Sequence, residues 1–409
     1  MSRRRRILLS STAVNVVLNG ELPLYATFTR ASSGTYFDSA GVLQTATTNE
    51  ARNHYLQDGS GLNGLLIEEA RTNSCLQSED LSTTWAANAT TVTVNQAAAP
   101  DGATTMDELV SNEVATSHFI SQAVSITNTT TYTWSTFAKA STSNFIQITT
   151  SSALFGSAVW ANFDLSSGVV GSLGASCTST ILHVGNGVYR CTMTATATGT
   201  GSIAGFALAL VATASSGRIA VFNSAASVFT WGSQLEVGAF ATSYIATTTV
   251  AATRAADVAT INVVAVSWFN ATEGTIYADT TLIAATTFSP FAAINDGTTA
   301  NRIVMFTPTS TAVQGLVTAS SVDVAAPTVT GVVTTNRTES ALGYKVNDYN
   351  IAVNGGLGTL DTSGALPSGF TQLNIGRSSS GVSFLNGIIS NLRYYNTRLS
   401  DANLQVLTT

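Results

Sequence analysis

The chain has 409 residues, more than one compact core usually holds, so two or three domains are expected. Charged residues make up only 10% of it, against roughly 25% in ordinary soluble domains, and polarity comes instead from Ser, Thr, Asn and Gly. A net charge of −6 excludes a broad nucleic-acid-binding face, and a hydrophobic fraction of 44% excludes global disorder.

The N-terminus opens with Arg3, Arg4, Arg5 and Arg6, followed by Ile7, Leu8 and Leu9. This mimics an export signal, but Ser10, Ser11, Thr12 and Asn15 break the apolar run and no small-x-small site precedes Glu21, so a signal is not expected. Residues 1–22 are read as an extended arm, and its arginines as either a solvated tail or a peg for an acidic surface. A compact segment, 23–75, ends in Gly64-Leu-Leu-Ile-Glu-Glu-Ala-Arg-Thr-Asn73.

Strand signals fill the rest. Tyr132-Thr-Trp134-Ser-Thr-Phe137 and Phe145-Ile-Gln-Ile148 carry the β-branched and aromatic residues that suit a pleated, half-buried surface. Ile181-Leu-His-Val184, Gly185-Asn-Gly187 and Val188-Tyr-Arg-Cys191 spell a hairpin. A small-residue linker lies near residues 246–253. Beyond it, Thr275-Ile-Tyr-Ala278 and Arg302-Ile-Val-Met-Phe306 read as strands. Tyr349, Ile351 and Val353 alternate up to Asn354-Gly355, a turn that wants positive φ twice. Helical periodicity is almost absent, no repeat of 20–50 residues is visible, and no apolar run approaches the ~20 residues of a membrane helix. The expected fold is all-β: tandem antiparallel β-sandwiches, over 76–248 and 249–409, preceded by the arm.

Signals for chemistry are sparse. Three cysteines, Cys75, Cys177 and Cys191, do not make a disulfide framework; buried free thiols are expected, though Cys177 and Cys191 flank a hairpin and pairing stays open. His54, His118 and His183 lie in no nucleophile or metal-ligand spacing. Glu68-Glu69, Glu79-Asp80 and Asp107-Glu108 are adjacent pairs, which on a strand point to opposite faces, so they read as solvated charges rather than a hydrolytic pair. Asn295-Asp296-Gly297 and Asn347-Asp348 are explained by turn chemistry without calcium. No catalytic residue, metal or cofactor is expected. Glycan binding needs an apolar plate with a polar rim. Trp85, Trp160, Trp231 and Trp268 are available; most belong in cores, leaving Trp268, Asn270 and Arg377 as loop candidates.

Phe28-Thr-Arg-Ala-Ser32, Thr35-Tyr-Phe-Asp38, Gly41-Val-Leu43, Asn49 with Arg52, and the run to Asn73 resemble a module of tailed-bacteriophage fibre, spike and head-decoration proteins. Ser78-Glu-Asp-Leu81, Trp85, Ala99-Pro-Asp-Gly102, Tyr189-Arg190 and Trp231-Gly-x-Gln-Leu-Glu236 are similar to a carbohydrate-binding-module-like sandwich. Ala241-Thr-Ser-Tyr-Ile245 and Thr253-Arg-Ala-Ala-Asp257 resemble the junction that follows it in such proteins. Gly274-Thr-Ile-Tyr-Ala278, Asn374-Ile-Gly376 and Gly387-Ile-Ile-Ser-Asn-Leu-Arg-Tyr-Tyr-Asn396 resemble a concanavalin A-like, laminin-G-like jelly roll.

The resemblance implies a non-catalytic virion surface protein, a tail fibre or spike binding host surface glycans. It would be assembled in the bacterial cytoplasm as a homotrimer, with Arg3, Arg4, Arg5 and Arg6 anchoring it to other virion proteins. No nucleic-acid or membrane partner is implied. The alternatives are a capsid head-decoration fibre with a structural role, and a glycan-cleaving enzyme. The second lacks support, because no strand carries acidic residues at i, i+2 and i+4.

Overall fold

The computed structural model describes residues 13–284 and 287–409, and the chain is all-β as expected. Two antiparallel sandwiches account for it, with small two-stranded ladders between and beside them. One sandwich pairs two eight-stranded sheets. Its first sheet runs Gly356–Leu357, Asp348–Val353, Thr338–Lys345, Glu273–Leu282, Gly387–Tyr395, Asn63–Ile67 and Asn53–Tyr55, with Ala13–Leu18 also paired to Gly387–Tyr395. Its second runs Thr27–Thr29, Val258–Asn262, Gln372–Ile375, Ser289–Asn295, Arg302–Thr309, Ala312–Ala319 and Val322–Ala325, with Thr328–Thr330 on Ala312–Ala319. Strand alternation sends Ile276, Leu342 and Ile351 from one sheet against Ile294, Ile303 and Leu373 from the other, all buried. The Asn354-Gly355 turn closes as its sequence requires, with φ of 47° and 79°.

Strands from the first 67 residues therefore belong to the same sheets as strands from residue 258 onward. Of the expected arm, residues 13–18 form a strand along Gly387–Tyr395, whereas Arg3, Arg4, Arg5 and Arg6 lie outside the described residues. Gly64 shows why the motif needs a glycine: a Cβ there would lie 2.7 Å from the Ile389 backbone carbon.

The other sandwich is contiguous. Thr178–His183, Val188–Thr196, Thr131–Ala140, Ser227–Val237, Thr104–Ser111 and Thr90–Ala98 form one six-stranded sheet. Val169–Leu173, Trp160–Asp164, Phe145–Thr149, Phe206–Leu210, His118–Gln122 and Ala86–Asn88 form the second. Trp134, Ile148, Phe163, Phe206 and Leu235 fill the space between. The Trp134 indole donates to the Gly205 carbonyl at 2.8 Å, so burying the large ring leaves no orphan donor. The 185–187 turn joins the first two strands as expected, with the Val184 amide donating to the Val188 carbonyl at 2.9 Å.

This sandwich is an insertion in the first. The chain leaves along Arg71–Asn73 and returns along Ala252–Arg254, and these two short strands pair antiparallel as a neck, with Arg71 opposite Arg254. Cys75 and Cys191 are buried free thiols; Cys177 is half-buried, and its thiol donates to the Trp160 carbonyl at 3.3 Å. No helix among the described residues is long and apolar enough to cross a membrane.

Candidate functional site: the junction between the sandwiches

The neck is built on charge. Arg30, Arg52, Glu68, Arg254 and Asp257 converge there, and each is at most 1% exposed. Arg30 reaches Asp257 at 3.1 Å and Arg52 reaches Glu68 at 2.8 Å, while the other arm of Arg52 holds the second Asp257 oxygen at 2.5 Å. Arg254 lies 3.6 Å from Glu68 and 3.9 Å from Asp257. The backbone closes the same contact in both directions. The Glu68 amide donates to Asp257 Oδ2 at 2.9 Å, and the Asp257 amide donates to the Glu68 carbonyl at 3.0 Å. Burial alone would push the Glu68 carboxyl up, but Arg254, Arg52 and two donors from Ser243 hold it far below the usual carboxylate range. The expectation that Glu68 and Glu69 are both solvated is corrected for Glu68. It faces the neck and is fully buried, while Glu69, one residue on, is half-buried and contacts Arg71.

A hairpin, Gly34–Phe37 with Leu43–Ala46, leans from this neck onto the inserted sandwich. Phe37 and Leu43 pack with Met106, Phe137, Trp231 and Tyr244. Thr35 donates its hydroxyl to the Tyr244 carbonyl at 2.7 Å, and Arg52 donates to the Thr35 carbonyl at 2.9 Å, so the clamp and the ionic cluster share a residue. His54 accepts the Phe37 amide on Nδ1 at 3.2 Å, which requires that nitrogen to be unprotonated. Burial, with the Arg52 and Arg190 charges added, pushes its pKa down to about 4 against the opposing pull of Glu68.

Beside the neck lies a cleft of about 470 Å³. One wall is the hairpin Thr178–His183 and Val188–Thr196; the others are the 239–241 loop and residues 283–284 of the first sandwich. Period-2 alternation explains the wall. Thr178 pairs with Thr194, Thr180 with Thr192 and Leu182 with Arg190, and all six residues line the cleft together with Ser179 and the partly buried Ile181, while Cys191 and Met193 turn into the core. The rim carries Phe240, with the Arg71 guanidinium 4.9 Å from its ring centre.

Arg190 is the unusual member. It is half-buried, sits 5.4 Å from the Phe137 ring centre, and donates one arm to the Ser135 hydroxyl at 3.0 Å. Its Nε is buried without an acceptor, and no carboxylate among the described residues lies within ion-pair distance. Glu236, whose charge acts on Arg190, is held by the Thr242 amide at 3.0 Å and the Thr242 hydroxyl. Burial lowers the Arg190 pKa, and Glu236 and Glu68 partly offset that. A smaller void of about 110 Å³ shares Leu182, Arg190, Ala241 and Ile283 with the cleft and runs inward to His54 and Tyr244. Hydroxyl rows, one aromatic edge and an unpaired cation suit binding. The lining of the larger cleft contains no carboxylate to act as a hydrolytic acid or base.

The loop candidates lie elsewhere. Trp268 is half-buried against the first core, with ring centres 6.2 Å from Tyr25 and 5.2 Å from Tyr394. Asn270 spends its amide internally, donating to the Asn396 carbonyl at 2.8 Å and accepting the Thr272 amide at 3.0 Å and its hydroxyl at 2.8 Å. Its own carbonyl accepts the Tyr394 hydroxyl at 3.0 Å, so Trp268 and Asn270 meet around Tyr394. Arg377 packs over Phe384 at 6.0 Å and shares no such partner with them. Asp296 closes its own turn, accepting from Thr298 and Asn301, as its sequence suggests. Arg190 was missed as a site residue. The signal was present in the alternation of Thr178, Thr180 and Leu182 with Arg190, Thr192 and Thr194 about a tight turn.

No protein-family model matches the chain, and no curated protein matches it. Solved structures overlap parts of it. The NanB sialidase of Streptococcus pneumoniae matches at 11% identity over 37% of this chain, with a TM-score of 0.31, and the overlap spans about a quarter of the sialidase, 26%. The CBM40 domain of the Ruminococcus gnavus IT-sialidase, bound to α2,3-sialyllactose, matches at 16% identity over 34% of this chain and 83% of that one, TM-score 0.31. Domain 4 of AbnA, an extracellular GH43 arabinanase from Geobacillus stearothermophilus, in complex with arabinotriose, matches at 13% identity over 38% of this chain and 73% of that one, TM-score 0.30.

Proposed function

We propose that this chain is a non-catalytic attachment protein on the surface of a tailed-bacteriophage particle, a tail fibre or spike, and that it takes host surface glycans in the cleft between its sandwiches. The observation that carries the binding half is the cleft wall. Thr178, Thr180, Thr192 and Thr194 present uncharged hydroxyls in two rows, with Phe240 as an apolar edge and Arg190 on the same wall. Sugars offer a dense array of hydroxyls and weakly apolar ring faces, which such a surface complements.

The virion setting rests on the resemblance of residues 28–73 to phage appendage modules. The neck gives that motif a physical purpose. Arg30, Arg52 and Glu68 tie the two ends of the neck together through Asp257, and Arg52 and Glu68 also hold Ser243 of the inserted sandwich, which a surface appendage under mechanical load requires. In this account Arg3, Arg4, Arg5 and Arg6 grip a neighbouring virion protein and the assembly is a homotrimer.

The test is a pull-down of purified protein with host cells and with their isolated envelope polysaccharide. Retention without release of reducing sugar is expected. Release of reducing sugar would overturn the non-catalytic assignment. Absence of retention, together with loss of the protein from heads when residues 2–6 are deleted, would instead assign a structural head fibre.

A further inference from the structure

We infer that the cleft selects acidic glycans, with a sugar carboxylate docking on the guanidinium of Arg190; this rests on the glycan-binding assignment above. A charge withdrawn from water normally finds an opposite charge or a full set of hydrogen bonds. The neighbouring arginines obey this: Arg30, Arg52 and Arg254 each have a carboxylate within 4 Å. Arg190 does not, although it stands on the wall of both voids at this junction. Among the described residues its polar contacts come down to one hydrogen bond to Ser135, beside the Phe137 ring. The two carboxylates whose charge acts on it are already taken, Glu236 by Thr242 and Glu68 by Arg52 and Ser243.

A guanidinium presents parallel N–H donors in a planar fork that matches a carboxylate. Thr180 and Thr192, side by side on the two strands next to Arg190, are placed for the hydroxyls of the same sugar. The charge count favours a carboxylate over a phosphate. One cation lines the cleft, and Glu236 and Glu68 lie close enough to influence it, so the second negative charge of a dianion is disfavoured more than the single charge of a carboxylate. A purely structural arginine would hold the hairpin to Phe137 and would be indifferent to what enters the cleft.

Polygalacturonate, alginate and hyaluronan provide the probes, each beside the same polymer with its carboxyls reduced to alcohols. Full-length protein should retain at least one acidic polymer about tenfold or more better than its reduced form. Arg190→Gln should abolish that preference. Thr180→Trp, which fills the cleft from an exposed position and leaves Arg190 in place, should abolish retention with an unchanged melting midpoint. It serves as the second variant should Arg190→Gln fold poorly. Equal retention of acidic and reduced polymers, or an unchanged preference in Arg190→Gln, overturns the acidic selectivity while leaving glycan binding standing. Retention of no polymer, acidic or neutral, overturns the acidic selectivity, and if host envelope polysaccharide is not retained either, glycan binding falls with it. Displacement by inorganic phosphate well below the concentration at which acetate competes would overturn the choice of carboxylate.

Discussion

The neck and the cleft share a border and a residue type, yet they treat arginine in opposite ways. In the neck, three guanidiniums are fully enclosed and every one meets Glu68 or Asp257. In the cleft, Arg190 keeps some solvent contact and has no carboxylate against it among the described residues. The contrast separates two uses of buried charge. Where all partners are internal, the cluster fixes a geometry; where a partner is missing, the protein has left room for one from outside.

Substitutions can break or sharpen this contrast. The largest effect is expected from Glu68→Ala, which leaves Arg30, Arg52 and Arg254 facing Asp257 alone and should cost about 3–5 kcal/mol in urea unfolding. A loss under about 1 kcal/mol would mean that the neck does not depend on its charges. Phe37→Ala removes the ring that the hairpin inserts among Met106, Phe137 and Trp231. It should cost about 3 kcal/mol, with earlier proteolysis between the two sandwiches.

His54 sets a pH window. Its pKa is pushed from 6.5 down to about 4 in the folded state, so the unfolded chain binds the extra proton first. Its contribution is complete above pH 6.5 and is lost as pH falls towards 4, by about 2 kcal/mol, since partial exposure removes some of the full linkage value. His54→Gln should flatten melting curves across that window. Glu68, whose carboxyl is held low, should still destabilise both proteins as pH drops below the ordinary carboxylate range. The smallest effect is expected from Arg190→Gln, at most about 1 kcal/mol, because no ion pair is broken. A cost equal to that of Glu68→Ala would erase the distinction between the two regions.

The strands and the two hairpin turns were legible because their signals are local: alternation of side chains, and Gly-Asn-Gly or Asn-Gly where positive φ is needed. The insertion was not legible. Arg71–Asn73 finds Ala252–Arg254, and Arg30 finds an aspartate 227 residues away, through pairings that leave no trace in neighbouring residues. Glu68 looked solvated because adjacent acids usually are; only the convergence of three distant arginines made its burial affordable in free energy. Arg190 lay between these cases, since its face could be assigned from alternation but its lack of a partner could not. Trp268 and Asn270 satisfied the composition rule for a sugar site, yet the Asn270 amide is already engaged with Asn396 and Thr272.

The central claim is that ligand enters between the sandwiches. Equilibrium binding of host envelope polysaccharide to the intact chain and to Thr180→Trp tests it most directly. The account predicts at least about tenfold weaker binding for the variant at an unchanged melting midpoint. Equal binding by the two proteins would contradict it and place the site elsewhere, with the surface around Trp268 the next to examine.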